Sequence, residues 1–594
     1  MRFVIAIVAF VLSAILIGTG IAQRTIFAPP SQNTSSVHVT GEPKYVVVTS
    51  SAMNAYQGRQ KLTIGGYATS RSVVVAYGRT ADVMAWIGNN TYARVNYNQG
   101  SGGLTSTIVS PHNALYNSYY AKGTNVSSNP AGSDLWLNQF TGSDAREVDL
   151  SIPAGMSVIV SGNGKEHAPN QLTLAWPVDR DTFVSNFLLA TGAIILLIGL
   201  VLYFWGVYRH RRPGGPRRKT ETKMPKLPKS PVYKPIGSPK KLSSGRRVFV
   251  PVACAFLISF GVVGSSAAYA DNQSTPNPTP TASGVVTISP VVSVAQLKLI
   301  VKRIATVSAE ADASGNANLA QTRFSGPALK LRVANYTIRA KDINQPKPLA
   351  IPAGPIDLAL PQATSSWPRT VFTVVTSPVG TDGKPQAPIG LALVQENPRS
   401  NYMVNYAVAL QPDAQVPNLA AATVGTSVVP PDSKLLAIQP DQLGSAYGDI
   451  LLNGNSSTWI SKFDLTHDKL VPQVGTTYKQ KVLTELQANS GNKTSLTWTS
   501  QQGNGPVISM ATNDSGAIVW VDPEEVQVQK VVQAGSEIVN GPSTAALSGV
   551  ANSTTGMQST FGYQLVFYVP PAGSSAKIRL LGFAQGLIAA SQIN

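Results

Sequence analysis

A chain of 594 residues with 43% apolar content holds enough hydrophobic material for two or three ordinary cores, which excludes a disordered protein. The net charge of +18 would suit a nucleic-acid binder if it were spread out, yet residues 208–247 alone hold 14 basic residues and one acid. The long regions 23–182 and 271–594 are nearly neutral, so nucleic acid is excluded as a partner.

Residues 3–22 form a run of 20 without a charge, long enough to cross a hydrocarbon core about 30 Å thick. The run reads as an uncleaved anchor or as a signal cleaved after the weak small-residue site Gly20-Ile21-Ala22. Residues 23–182 then alternate apolar and polar positions in short segments: YVVVT at 45–49, SVVVAY at 72–77, ARVNY at 93–97, SVIV at 157–160 and QLTLAW at 171–176. With turn residues between them and no helical stripe, they predict an all-β, sandwich-like domain. The loop SGNGK at 161–165 has the composition of an anion-binding nest and reads as a hairpin loop.

Residues 187–207 are a second uncharged run, ending in Tyr203, Phe204, Trp205 and Tyr208 before Arg209, Arg211 and Arg212. Aromatics followed by arginines mark a cytoplasmic interface. Residues 208–247 continue with Arg217, Arg218, Lys219, Lys240, Lys241, Arg246 and Arg247 among seven prolines, an extended tether suited to anionic lipid headgroups.

A third segment, 248–270, is built like the start of an exported protein: two arginines, a hydrophobic run holding the single cysteine Cys254, and Ala268-Tyr269-Ala270 before Asp271. It reads as a third transmembrane helix or as an internal signal cut after Ala270. Either way the chain leaves the cytoplasm again, so regions 23–182 and 271–594 are both expected outside a multi-pass cell-membrane protein. Neither region contains a cysteine, which excludes disulfides there and suits an exported protein of a Gram-positive bacterium.

Residues 271–285 are a Pro/Thr linker. A helical stripe of Leu297, Ile300, Val301, Ile304 and Val307 follows, and helical patterning extends over 319–336. Strands are predicted at 370–376, 390–395 and 402–410. The order then recurs: helices at 443–452 and 476–486, and strands at 494–499, 507–512, 516–521, 526–532, 563–569 and 576–583. This predicts two similar helix-plus-curved-sheet units, 286–430 and 431–594, in an α+β region. The wording of FSGPALKLRVANYTI, SWPRTVFTVVTSP, LALVQENPRSNYMVNYAVALQPDAQVP and YQLVFYVPPAGSSAKIRLLG resembles an actinobacterial extracytoplasmic domain of unknown function found in membrane proteins and lipoproteins. The resemblance covers roughly 285–594. It implies a pair of cone-shaped units similar to the nuclear-transport-factor-two-like class, and it brings no catalytic group.

A search for chemistry finds little. His38, His112, His167, His210 and His467 have no metal-ligand spacing, so no metal is expected, and no nucleotide or dinucleotide motif calls for a cofactor. Ser238 and Lys241 match SxxK but lie in the tether, where nothing desolvates the lysine. Asp522, Glu524 and Glu525 in DPEEV read as a solvated turn around Pro523. The chain therefore reads as a non-enzymatic envelope scaffold or interaction module, with cell-wall material or other envelope proteins as partners. The alternative is a ligand-binding protein with an apolar cavity, for which Trp367, Phe372, Trp498, Trp520, Phe561 and Phe567 are available, although such residues more often form cores. An envelope hydrolase or transferase with a site assembled from distant residues is the third reading.

Overall fold

A computed structural model describes residues 2–28, 30–66, 72–110, 128–143, 146–164, 166–178, 182–210, 289–376, 386–412 and 414–594. The chain divides into two bodies, one made of residues 1–28 with 181–286 and the other of residues 29–180 with 287–594.

In the first body the two uncharged runs form helices α1 (Arg2–Thr25) and α2 (Phe183–His210), each long and apolar enough to cross a bilayer. They lie antiparallel and close. A Cβ on Gly192 would sit 2.7 Å from Cγ1 of Ile17, one on Gly199 3.2 Å from the Phe10 ring and one on Gly206 3.2 Å from the Phe3 ring. The facing residues recur every seven positions on both helices, the repeat that keeps one seam in contact along an antiparallel pair, and small residues let the backbones approach. Ala6, Ser13 and Gly20 form the matching buried stripe of α1, while most apolar side chains of both helices face outward. Two such helices are found among the described residues where the sequence predicts three; segment 248–270 lies outside the described residues.

In the second body, residues 30–178 carry strands β1 (Gln32–His38), β2 (Tyr45–Val48), β3 (Gln60–Gly65), β4 (Ser72–Arg79), β5 (Tyr92–Asn98), β6 (Gly103–Val109), β7 (Asn138–Ser143), β8 (Arg146–Leu150), β9 (Met156–Ser161) and β10 (Gln171–Pro177). They form a four-stranded sheet, β1-β10-β3-β8, and a six-stranded one, β6-β5-β2-β9-β4-β7. Val46, Val48, Val75 and Val160 of the larger sheet meet Leu62, Leu172, Leu174 and Trp176 of the smaller, giving the core of the expected sandwich.

The larger sheet is buried on its other face too. Tyr45, Val47 and Ile159 pack there against Trp86 and Ile87 of a short helix, Thr80–Ile87, and against Leu135 and Trp136. That helix is absent from the sequence reading, because eight residues are too short to display a helical period. The SGNGK loop connects β9 in one sheet to β10 in the other, so it is a crossover and not a hairpin.

The C-terminal region begins with α3 (Val294–Ser314), capped by the Ser293 hydroxyl, which accepts from the Gln296 amide at 3.2 Å. The helix predicted over 319–336 is interrupted: a single turn, Ala317–Ala320, is followed by Phe324 bridging to Val404, and α4 (Gly326–Arg339) starts afresh at Gly326 with φ +53° and Pro327 in its first turn. Strands β11 (Ile356–Pro361), β12 (Arg369–Val375), β13 (Ile389–Gln395) and β14 (Met403–Leu410) follow. Next come helices α5 (Pro440–Asn453) and α6 (Thr476–Ser490), then β15 (Thr494–Gln502), β16 (Ile508–Ala511), β17 (Ala517–Val521) and β18 (Pro523–Val531). The short pair β19 (Ile538–Val539) and β20 (Asn552–Ser553) precedes the long strands β21 (Gly556–Val569) and β22 (Arg579–Ile593).

All these strands except β19 and β20 join one ten-stranded sheet, in which Ala409 and Leu410 of β14 pair with Phe583 and Gly582 of β22. α3 and α4 cover β12, β13 and β14, and α5 covers β17, β21 and β22. The uncovered faces meet each other: Phe372 and Tyr406 pack on Trp520, with ring centroids 5.7 and 5.6 Å apart, beside Met510 and Val566. β12, β13 and β17 are consequently buried on both faces, as the largely apolar runs of β13 and β17 lead one to expect.

Candidate functional site

Most of the predicted site residues lie outside the described residues: Ala268, Ala270 and Asp271 of the peptidase site, Ser238, His112, and Arg211, Arg212, Arg217, Arg218, Lys219, Lys240, Lys241, Arg246 and Arg247 of the basic tether. Arg209 is exposed in the last turn of α2. His38 and His467 are exposed, and His167 lies 3.6 Å from the Glu42 carboxylate. No group of acids, histidines and cysteines that could hold a metal occurs among the described residues.

The DPEEV acids overturn the expectation of a solvated turn. They sit where β17 runs on into β18, and all three are buried. Glu524 accepts from Lys330 of α4 at 2.5 Å and from Gln501 at 3.0 Å, while Glu525 pairs with the buried Lys479 of α6 at 2.7 Å. Burial pushes the Glu525 carboxyl up and the Lys479 ammonium down, each against the pull of the other. Asp522 accepts from the Gly505 amide at 2.8 Å, and desolvation raises its pKa to about 6. Each acid bonds to a helix or loop of its own region, so the cluster fastens α4 and α6 to the sheet.

The aromatic residues considered as cavity walls are core or paired side chains. Phe372, Trp520 and Phe567 are fully buried in the sheet cores, and Trp498 donates to Gln527 at 3.2 Å. A cavity of about 340 Å³ exists elsewhere, beneath α4, with walls that include Phe324, Ala328, Leu331, Ala407, Phe583 and Leu587. Small residues of β14 and the break before α4 leave this space. Single-sequence patterning does not separate a cavity wall from a core wall, because both are apolar.

A seam of charged side chains joins residues 30–178 to residues 289–594. On the helix Thr80–Ile87, Asp82 accepts from Arg79 at 2.8 Å and from Arg369 at 2.8 Å. Arg79 also donates to the carbonyls of Pro290 at 2.6 Å and Val291 at 2.8 Å. Asp134, with its side chain fully buried, accepts from Arg323 at 2.5 Å, Arg303 at 2.9 Å and the Tyr402 amide at 3.0 Å. Arg399 closes the other end: it donates to the last carbonyls of the same helix, Trp86 at 2.9 Å and Ile87 at 3.1 Å, with its cation 5.2 Å from the Trp86 ring centre. A guanidinium at a helix C-terminus meets the negative end of the dipole. The β region thus contributes two buried carboxylates and the C-terminal region answers with four arginines, all of whose partners are distant in sequence.

The resemblance read from the sequence is borne out by comparison with known proteins. The model of a domain of unknown function, DUF8094, matches residues 288–592. An uncharacterized lipoprotein of Streptomyces coelicolor is 24% identical over 301 residues, spanning 50% of this chain and 80% of that protein. No solved structure matches. With a matched segment that takes in half of its residues, the chain belongs to the DUF8094 family.

Proposed function

We propose that this is a non-enzymatic, membrane-anchored cell-envelope protein whose two large regions lie outside the membrane and act there as one interaction body. The seam through Asp82 and Asp134 carries this reading. Two regions that share buried ion pairs must occupy the same compartment, so the chain between them crosses the bilayer an even number of times. In this reading α2 is one crossing, and the apolar run within 248–270 is the return. Residues 208–247, from Arg209 to Arg247, then lie on the cytoplasmic face against anionic headgroups. The lipoprotein relative in Streptomyces coelicolor supports an envelope location for residues 288–592. The recurrence of helices followed by antiparallel strands supports a duplicated, cone-like unit as the origin of the C-terminal region. Cell-wall material or other envelope proteins are the partners proposed for this body.

Labelling of single cysteines in intact cells tests the topology. With Cys254 replaced by serine, Asn98→Cys and Ile343→Cys are expected to react with an impermeant maleimide, and Gly215→Cys only after lysis. Reaction at one of the outer positions without the other would refute a shared compartment.

The cavity beneath α4 favours a second reading, reception of a small apolar ligand.

A further inference from the structure

The cavity beneath α4 has a chemical character that narrows what it can hold. Its inner wall is apolar, with Phe324, Ala407, Phe583 and Leu587 among the residues exposed to the space. Gln564, only 4% exposed, reaches the same space from β21. The Gln564 Oε1 accepts from the Ala407 amide at 2.9 Å, and its amide nitrogen has no partner among the described residues. That amide donor faces the space, where a ligand oxygen can accept from it. The rim is formed by the loop around Pro346 and Lys347, both exposed, and the Lys347 ammonium has no acidic partner among the described residues. Arg332, which also borders the space, is held by Asp312 and donates to the Leu349 carbonyl at 2.8 Å. Two cations and no carboxylate line this cavity.

We propose that the cavity binds one small amphiphilic carboxylate, its apolar body between α4 and β22 and its carboxylate at the Lys347 rim. This rests on the second reading above and names the ligand class for it. At about 340 Å³ the space lies at the small end of the range for single ligands, which suits one short chain or ring system and not a diacyl lipid. A carboxylate beside a free ammonium at an exposed rim adds modest affinity, whereas a cationic head would be repelled.

The full chain in native membranes, photolabelled with a diazirine-bearing medium-chain carboxylate, tests this by mapping the labelled peptides. Label is expected within residues 324–349 and 583–587. Decanoate is expected to compete about threefold more strongly than decanol, and decyltrimethylammonium least of all. Lys347→Glu, a change at an exposed position, is expected to lower labelling there about threefold to tenfold. Equal competition by decanol and decanoate, with no effect of Lys347→Glu, would overturn the carboxylate assignment and leave apolar reception standing. Label confined to α1 and α2 would overturn both.

Discussion

Asp82 and Arg369 lie 287 positions apart and meet at 2.8 Å, each with a side chain 2% exposed. The Arg369 guanidinium lies 3.6 Å from the centre of the Trp367 ring, and its Nε and Nη1 have no hydrogen-bond partner among the described residues. One carboxylate therefore neutralises an arginine that little else satisfies. Asp82→Ala leaves that charge buried and alone, and is expected to destabilise the body that holds it by about 3–5 kcal/mol. The double variant Asp82→Ala with Arg369→Met should recover most of the loss. Urea unfolding of the full chain in detergent, followed by tryptophan fluorescence, measures both.

Asp134 makes the seam a docking surface in its own right. A protease site placed within residues 273–283 of the full chain allows the two regions to be separated covalently. After cutting, the fragments are expected to co-elute at physiological salt, since buried pairs are screened far less than surface ones. Asp134→Ala strands Arg323 and Arg303 together, and is expected to release the C-terminal fragment. Size-exclusion chromatography reads the outcome; separation of the cut chain that keeps Asp134 would show that the seam needs the covalent link.

The raised pKa of Asp522 sets a pH dependence. Its carboxyl titrates near 6 when folded and near 3.9 when unfolded, so the native state binds the extra proton between those values. Stability from this group is therefore present below about pH 4 and is lost as pH rises through 6, by roughly 2–3 kcal/mol. Glu524, paired with Lys330, remains beside it throughout. Asp522→Asn should flatten the profile between pH 4.5 and 7, as read by urea midpoints at each pH.

The glycine seam of the apolar helices predicts a separate effect. Gly192→Ile forces a side chain against Ile17, including its backbone nitrogen 3.2 Å from the new Cβ. In a Cys254→Ser background, crosslinking between cysteines placed at Phe3 and Gly206 is expected to fall severalfold, while the change Thr19→Ile, outside the Gly192 contact, leaves it intact. The yield of crosslinked chain on denaturing gels decides.

The sequence displays what is local. The stripe from Leu297 to Ile304 gives α3, and YVVVT gives β2, because each period needs only a few neighbouring residues. It does not display what covers a second face: the unbroken apolar run of β2 suits a strand buried on both sides, yet nothing near it in sequence names Trp86 and Leu135 as the cover. DPEEV has the composition of a turn, and only Lys330 and Lys479, brought in by distant helices, make three adjacent acids tolerable inside. The arginines at 303, 323 and 369 carry no local signal at all, since their meaning depends on two aspartates in another region, and that of Arg399 depends on two helix-end carbonyls there. The cavity is invisible for the related reason that a void has no residue of its own.

β22 occupies the middle of the ten-stranded sheet, between β14 and β21, and of that sheet's strands it is the last to be synthesised. Strands β11 to β14 can pair with one another early, but the join to the second set waits for residues 579–593. Assembly of this sheet is thus obliged to follow synthesis of residues 579–593, with long-range pairing as its slow step. During that interval the edge of β14 and the apolar surfaces of both strand sets stand unpaired, an opening for aggregation or for a holding chaperone.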